Sequence, residues 1–181
     1  MRNIFLIADT HFGDQKLCDM QFFNGEKYRP WDKSSDMDED LISKWNEVVG
    51  KNDIVYHLGD VAVQKEKLKL LGKCNGEKVL IRGNKDNFGL INYVPYFSDI
   101  KGIHVIDRFI LSHVPLFHAC IKDGRVNIHG HLHRQEIKSN KYLNVSVEKI
   151  NYRPISVDEI KIKLDRDQMY SLFADYITID L

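Results

Sequence analysis

The chain has 181 residues, 43% of them apolar and 29% charged, with 26 basic and 26 acidic side chains and no formal net charge. Those figures describe one globular domain, 1–181, long enough to bury a proper core. They argue against a long nucleic acid as partner, because a non-specific binder carries a basic excess.

Cys18, Cys74 and Cys120 stand apart with no CxxC pair, so neither a thiolate zinc site nor a disulfide framework is indicated, and a reducing cytoplasm is expected. No apolar run approaches membrane-spanning length, and Ile4–Ala8 is too short for a signal segment, so no membrane partner is expected.

Asn3–Ala8 reads as a first strand, apolar on both faces and therefore covered on both. It runs into Asp9-Thr10-His11. In an extended segment residues i and i+2 point the same way, so Asp9 and His11 are expected to share an ion. Asp14–Lys33 reads as an irregular loop rich in aromatic residues, which either cover a sheet edge or wall a substrate site. Arg29 within it has the forked guanidinium that matches phosphate oxygens. Ser35 is the expected N-cap of a helix running to Val49, with its apolar residues at helical spacing and Gly50 as the stop.

Asp53–His57 reads as a buried strand that delivers Gly59-Asp60 at its C-terminal end, where ligands bind in sheets flanked by helices. A Lys-rich helix is expected over Gln64–Lys73, its charges a solvated face. Glu77–Ile81 is the next strand, opening into Gly83-Asn84-Lys85-Asp86. Ile103–Ser112 predicts a hairpin turning near Asp107-Arg108 and ending at His113. Arg125–His129 delivers His131 and His133, again at i and i+2, and Tyr142–Val147 is a late strand. Ser156 and Glu159 form a capping box ahead of a last helix reaching Tyr176, with an edge strand at Ile177–Leu181. No chemistry is expected after His133. His57, His104, His118 and His129 are read as structural or surface residues, with His57 and His129 close enough to back the ligands.

Seven metal-binding side chains thus stand at strand exits: Asp9, His11, Asp60, Asn84, His113, His131 and His133. Seven are too many for one small cation that keeps an open position. If Asp60 bridges, the set supplies four contacts to each of two ions. Carboxylates mixed with imidazoles suit Mn, Fe, Co, Ni or Zn better than Ca or Mg, and the constellation points to a two-metal hydrolase of phosphate esters.

The ordered blocks Asp9-x-His11, Gly59-Asp60, Gly83-Asn84, His113 and Gly130-His131-x-His133 resemble the calcineurin-like metallophosphoesterase superfamily. Arg29-Pro30 through Trp45-Asn46, with Asn151–Ser156, resembles a small bacterial and phage branch of it. The resemblance implies a four-layer α/β/β/α sandwich of two mixed sheets. It implies two divalent ions, Mn first among the candidates, one on Asp9, His11, Asp60 and His133 and the other on Asp60, Asn84, His113 and His131. It also implies hydrolysis of a small phosphodiester, or of a monoester, by water activated between the ions, with a nucleotide among the substrates to consider. Relatives carry histidine after the Gly-Asn pair; here Lys85 stands there, followed by Asp86. Lysine brings charge to a phosphate but not the same proton transfer near neutral pH. Asp60, Asn84, Lys85 and Asp86 are the expected catalytic group. The substitution at Lys85 keeps a second reading in play, a catalytically weak metal-binding scaffold.

Overall fold

The computed structural model describes residues 2–166. The far end of the expected last helix and the strand expected at Ile177–Leu181 lie outside these residues. The protein is α/β, with two mixed sheets and helices, as expected.

The first sheet has the order β4-β3-β2-β1-β9. Its strands are β1 (Ile4–Ile7), β2 (Ile54–His57), β3 (Glu77–Ile81), β4 (Asp99–Lys101) and β9 (Ile155–Ser156). Strands β1 to β4 are parallel and β9 joins antiparallel. The second sheet has the order β5-β6-β7-β8, built from β5 (Ile103–Ile106), β6 (Phe109–Ser112), β7 (Val126–His129) and β8 (Tyr142–Asn144). Here β5 and β6 form the expected antiparallel hairpin around Asp107-Arg108, and β6, β7 and β8 run parallel.

Alternation along β1 explains the layering. Phe5 and Ile7 join Met37, Leu41 and Trp45 in a core beneath the helices. Leu6 and Ala8 point the other way and join Phe109, Leu111, Val126 and Ile128 in a core between the sheets. A strand buried on both faces reads as continuous apolar sequence for this reason. Helical residues 157–166 pack Val157 and Ile160 into the core between the sheets, entered through the expected capping box, in which Glu159 N–H donates to Ser156 Oγ at 3.1 Å. Over the outer face of the second sheet, Leu116 N–H donates to Asn127 Oδ1 and Tyr142 Oη–H to Leu116 O, both at 2.8 Å, holding the 113–121 segment in place.

Three local expectations need correction. The Asp14–Lys33 stretch is not wholly irregular: it contains α1 (Gln15–Asp19), whose Lys16 and Leu17 N–H groups donate to the Asp14 side chain. Helix α2 (Ser34–Val48) begins one residue before Ser35 and has no side-chain cap. The Ser35 hydroxyl donates to Asp36 instead, while the buried Asp38 carboxylate accepts from Gly13 N–H and Lys67. The Lys-rich helix is 3-10 over Lys65–Lys73, with Leu68 and Leu71, one 3-10 turn apart, its buried residues.

All the parallel strands deliver their C-terminal ends to one side. The register Ile7↔His57 and His57↔Leu80 brings the turns after β1, β2 and β3 abreast. A parallel bridge between Ala8 and Ser146 ties the first sheet to the second at the same level.

Candidate metal centre

The turn after β1 lies along the turn after β2. Asp9 N–H donates to Gly59 O at 3.0 Å and His11 N–H to Asp60 O at 3.1 Å. Gly59 sits at φ +89°, and a Cβ there would lie 2.5 Å from Gly83 N, so the turns after β2 and β3 approach too closely for a side chain at Gly59.

The ligand-bearing segments are not extended. Asp9, His11, Asp60, His131 and His133 all have positive φ, between 48° and 68°. The i, i+2 pairs therefore share a face because single residues adopt left-handed backbone, not because strand alternation continues. Such conformations cost about 1–3 kcal/mol each and persist where the surroundings over-determine them. None of the five is glycine, so no local residue signal announces the conformation.

Part of that over-determination comes from Arg29. The side chain is fully buried and donates to Asp9 O at 2.7 Å and Thr10 O at 2.9 Å. Its Nε–H donates to Glu148 Oε1 at 2.8 Å. The guanidinium clamps the turn from behind and does not face a phosphate, contrary to the sequence reading. The expectation that chemistry ends at His133 is also corrected. Ser146 Oγ–H donates to Asp9 Oδ2 at 2.7 Å, and Glu148 Oε1 accepts from His133 Nδ1 at 3.0 Å. Neither residue lies in a motif, and only the folded chain brings them to the site.

All seven expected ligands converge. Asp9 Oδ1 lies 3.9 Å from His11 Nε2 and 4.0 Å from His133 Nε2. His11 Nε2 is 3.6 Å from Asp60 Oδ2. On the other side, Asp60 Oδ1 is 3.5 Å from His113 Nε2. Asn84 Oδ1 lies 2.8 Å from His113 Nε2 and 3.0 Å from His131 Nδ1. The two oxygens of Asp60 thus face two different groups of donors. Separations of 3–4 Å are those of ligands each about 2.0–2.2 Å from a shared ion.

A divalent cation fits the donor set. Asp9 Oδ1 and His11 Nε2 are buried with no hydrogen-bond partner, a costly arrangement unless something else satisfies them. His113 Nδ1–H donates to Leu58 O at 2.7 Å, which leaves Nε2 as the donor atom facing the cluster. Burial opposes the charge of Asp60, but His113 and the Lys85 N–H outweigh it and hold the carboxyl below its usual range. Burial likewise works against a charged His113, and the Asp60 and Asp9 carboxylates overcome it and raise its pKa.

Asp86 stands beneath the cluster, not in it. Its carboxylate is buried and accepts N–H groups from Asp60, Val61 and Gly83. Burial raises its pKa. Lys85 is exposed and lines an open cleft of about 450 Å³ with His11, Asp14, Lys16 and Gln64. Of the aromatic residues before α2, Phe22 and Tyr28 pack on Arg134, 5.2 and 5.5 Å from its guanidinium carbon. Tyr28 stands 6.0 Å from the His133 ring, so this part of the loop borders the centre, while Phe23 is fully exposed.

His57 is fully buried and its pKa is pushed down to about 3 by burial. It accepts the Gly59 N–H at 3.2 Å and lies 2.9 Å from Thr10 Oγ1, joining the first two turns. His129 hydrogen-bonds Gly130 O at 2.8 Å. His104 stacks on Tyr56 at 5.3 Å, and the exposed His118 packs on Phe117 at 4.3 Å. Among the described residues, no helix is long and apolar enough to cross a membrane.

Comparison with known proteins finds relatives along the whole chain. The uncharacterized protein MJ1445 of Methanocaldococcus jannaschii is 37% identical, over 97% of this chain and 98% of its own length. The Gene 66 protein of Mycobacterium phage L5 is 26% identical over 95% of this chain and 94% of its own. No protein-family model matches. The crystal structure of AQ665, a protein of unknown function from Aquifex aeolicus, aligns over 89% of this chain and 98% of that one with a TM-score of 0.69. At 22% identity that likeness shows the fold alone.

Proposed function

The chain belongs to the same family as the archaeal protein MJ1445, and we propose that it is a phosphoesterase of the calcineurin-like type that depends on two divalent cations. The observation that carries this reading is Asp60, whose separate oxygens lie 3.6 Å from His11 Nε2 and 3.5 Å from His113 Nε2. One ion would be held by Asp9, His11, Asp60 and His133, the other by Asp60, Asn84, His113 and His131. Bound there, the pair would supply Lewis-acid charge, lower the pKa of water and draw phosphoryl oxygens into line. Mn is the first candidate, with Fe, Zn, Ni and Co as alternatives.

The chain's own residues do the rest. Asp86 fixes the backbone of Asp60, and the Lys85 N–H holds Asp60 Oδ1 at 2.8 Å, so the carboxylate is held in place from both ends. Lys85 offers a positive charge at the cleft mouth, where the non-reacting part of an anionic ester would rest. Without a histidine beside Asn84, protonation of a poor leaving group falls to solvent, so esters with good leaving groups should react best. A small diester, nucleotide-containing or not, suits a cleft of about 450 Å³ better than a polymer does.

Lys85 also favours a second reading, a metal-binding scaffold with little turnover. Chelator-stripped protein reloaded with Mn²⁺ and offered bis-p-nitrophenyl phosphate and p-nitrophenyl phosphate separates the two. Turnover that favours the diester and falls at least 100-fold in Asp60→Asn is expected. Turnover that persists both in excess chelator and in Asp60→Asn removes the proposal. No turnover of either ester by protein that binds Mn²⁺ favours the scaffold.

A further inference from the structure

Among the described residues, Arg29–Glu148 is the one buried ion pair behind the centre that the hydrolytic reading does not use. Both side chains are almost wholly excluded from solvent, with Arg29 Nη2 2.7 Å from Glu148 Oε1. Burying such a pair rarely adds much net stability over apolar packing, so its presence calls for another account. Its contacts supply one. The guanidinium holds the carbonyls of Asp9 and Thr10. The carboxylate holds His133 Nδ1–H, which leaves Nε2 facing Asp9 Oδ1 across 4.0 Å. One two-residue brace therefore grips both ends of a single half of the centre. Glu148 Oε2 is buried without a partner, so the carboxylate does not serve to satisfy backbone groups. Among the described residues the other half has no such pair behind it: His113 is oriented by the Leu58 carbonyl, and beside Asp60 its neighbours are the neutral Asn84 and the partly exposed His131.

We propose that Glu148, locked in place by Arg29, is the positioning residue for His133, and that it sets the affinity of the half-centre formed by Asp9, His11, Asp60 and His133 while leaving the other half alone. A carboxylate behind a ligating imidazole fixes its tautomer and ring orientation, and losing it typically weakens the ion about 10–100-fold. The inference rests on the two-cation reading of the site.

The test is a Mn²⁺ titration of chelator-stripped protein by calorimetry, in two backgrounds. In Asn84→Ala the remaining ion sits in the braced half, and adding Glu148→Gln should weaken it about 10–100-fold. In His11→Ala the remaining ion sits in the other half, and adding Glu148→Gln should change its affinity less than twofold. A residue that merely holds the fold would weaken both ions alike. Equal weakening in the two backgrounds, or none in either, overturns the proposal.

A second measurement needs no substitution. In wild-type protein loaded with Zn²⁺, nitrogen-15 imidazole spectra should show His133 protonated at Nδ1 and coordinated through Nε2, and the reverse arrangement overturns the proposal. Selective weakening without ester turnover leaves this inference standing and removes the hydrolytic one. Turnover with uniform weakening does the opposite.

Discussion

The Asp86 carboxylate accepts the backbone N–H of Asp60 at 2.8 Å. Its other oxygen takes Val61 N–H at 3.0 Å, and the first also takes Gly83 N–H at 2.8 Å. Three donors from two turns thus converge on one buried side chain, and the position of Asp60, the proposed shared ligand, depends on a residue that does not reach the cleft. Asp86→Ala leaves those donors without an acceptor, at a cost of about 1–3 kcal/mol for a buried group left unpaired. Urea denaturation of metal-free protein should show a loss of that order, with Asp86→Asn losing less because its amide oxygen still accepts. An alanine variant as stable as the parent contradicts this role.

A Cβ on Gly83 would lie 2.3 Å from Asp60 Oδ1 and 2.6 Å from Asp60 N. Neither neighbour gives way easily, since one is backbone and the other a carboxylate oxygen already held by Lys85 N–H at 2.8 Å. Gly83→Ala should destabilise by about 1–3 kcal/mol and weaken Mn²⁺ binding at least tenfold. Gly72 has nothing within 4 Å of a built Cβ, so Gly72→Ala should leave both quantities unchanged. Comparable behaviour of the two variants would show that the close approach does not matter.

Glu148 offers a pH signature. Burial works to raise its pKa, but the Arg29 charge and the His133 hydrogen bond outweigh that and bring it from an ordinary 4.5 down to about 2. A carboxyl whose pKa is lower folded than unfolded contributes stability that is complete above the unfolded value. That contribution drains away as pH falls through the folded one. In excess chelator, the melting temperature of Glu148→Gln should lie below the parent's at pH 6, and the gap should narrow steadily from about pH 4.5 toward pH 2. Arg29→Ala, which strands a buried carboxylate, should cost about 3–5 kcal/mol at neutral pH. A gap that stays constant with pH rules out the ion pair as its source.

Lys85 tests the departure from the resembled pattern. If the proposed hydrolysis holds, in Mn²⁺-loaded protein Lys85→Ala should raise KM for an anionic diester severalfold with a smaller change in kcat. Lys85→His should raise kcat for esters with poor leaving groups and do little for p-nitrophenyl esters. If both variants leave KM and kcat as they were, the side chain plays no part in the cleft.

The sequence by itself located the strands whose ends carry the candidate ligands, but not the short edge strands β4 (Asp99–Lys101) and β9 (Ile155–Ser156), and the strand read over Tyr142–Val147 stops at Asn144. Apolar runs such as Ile4–Ile7 and Val79–Ile81 read as strands covered on both faces, and the candidate ligands cluster where those runs stop. Because strand exits of parallel sheets lie together, the seven donors could be named before any fold was seen. Tertiary structure alone decided how they point. The left-handed backbone at Asp9, His11, Asp60, His131 and His133 is held by contacts from afar, and a local pattern does not carry long-range contacts. The same holds for Arg29 and Glu148, 119 positions apart. Each looks like an ordinary surface charge until the fold buries one against the other, where only pairing makes burial tolerable.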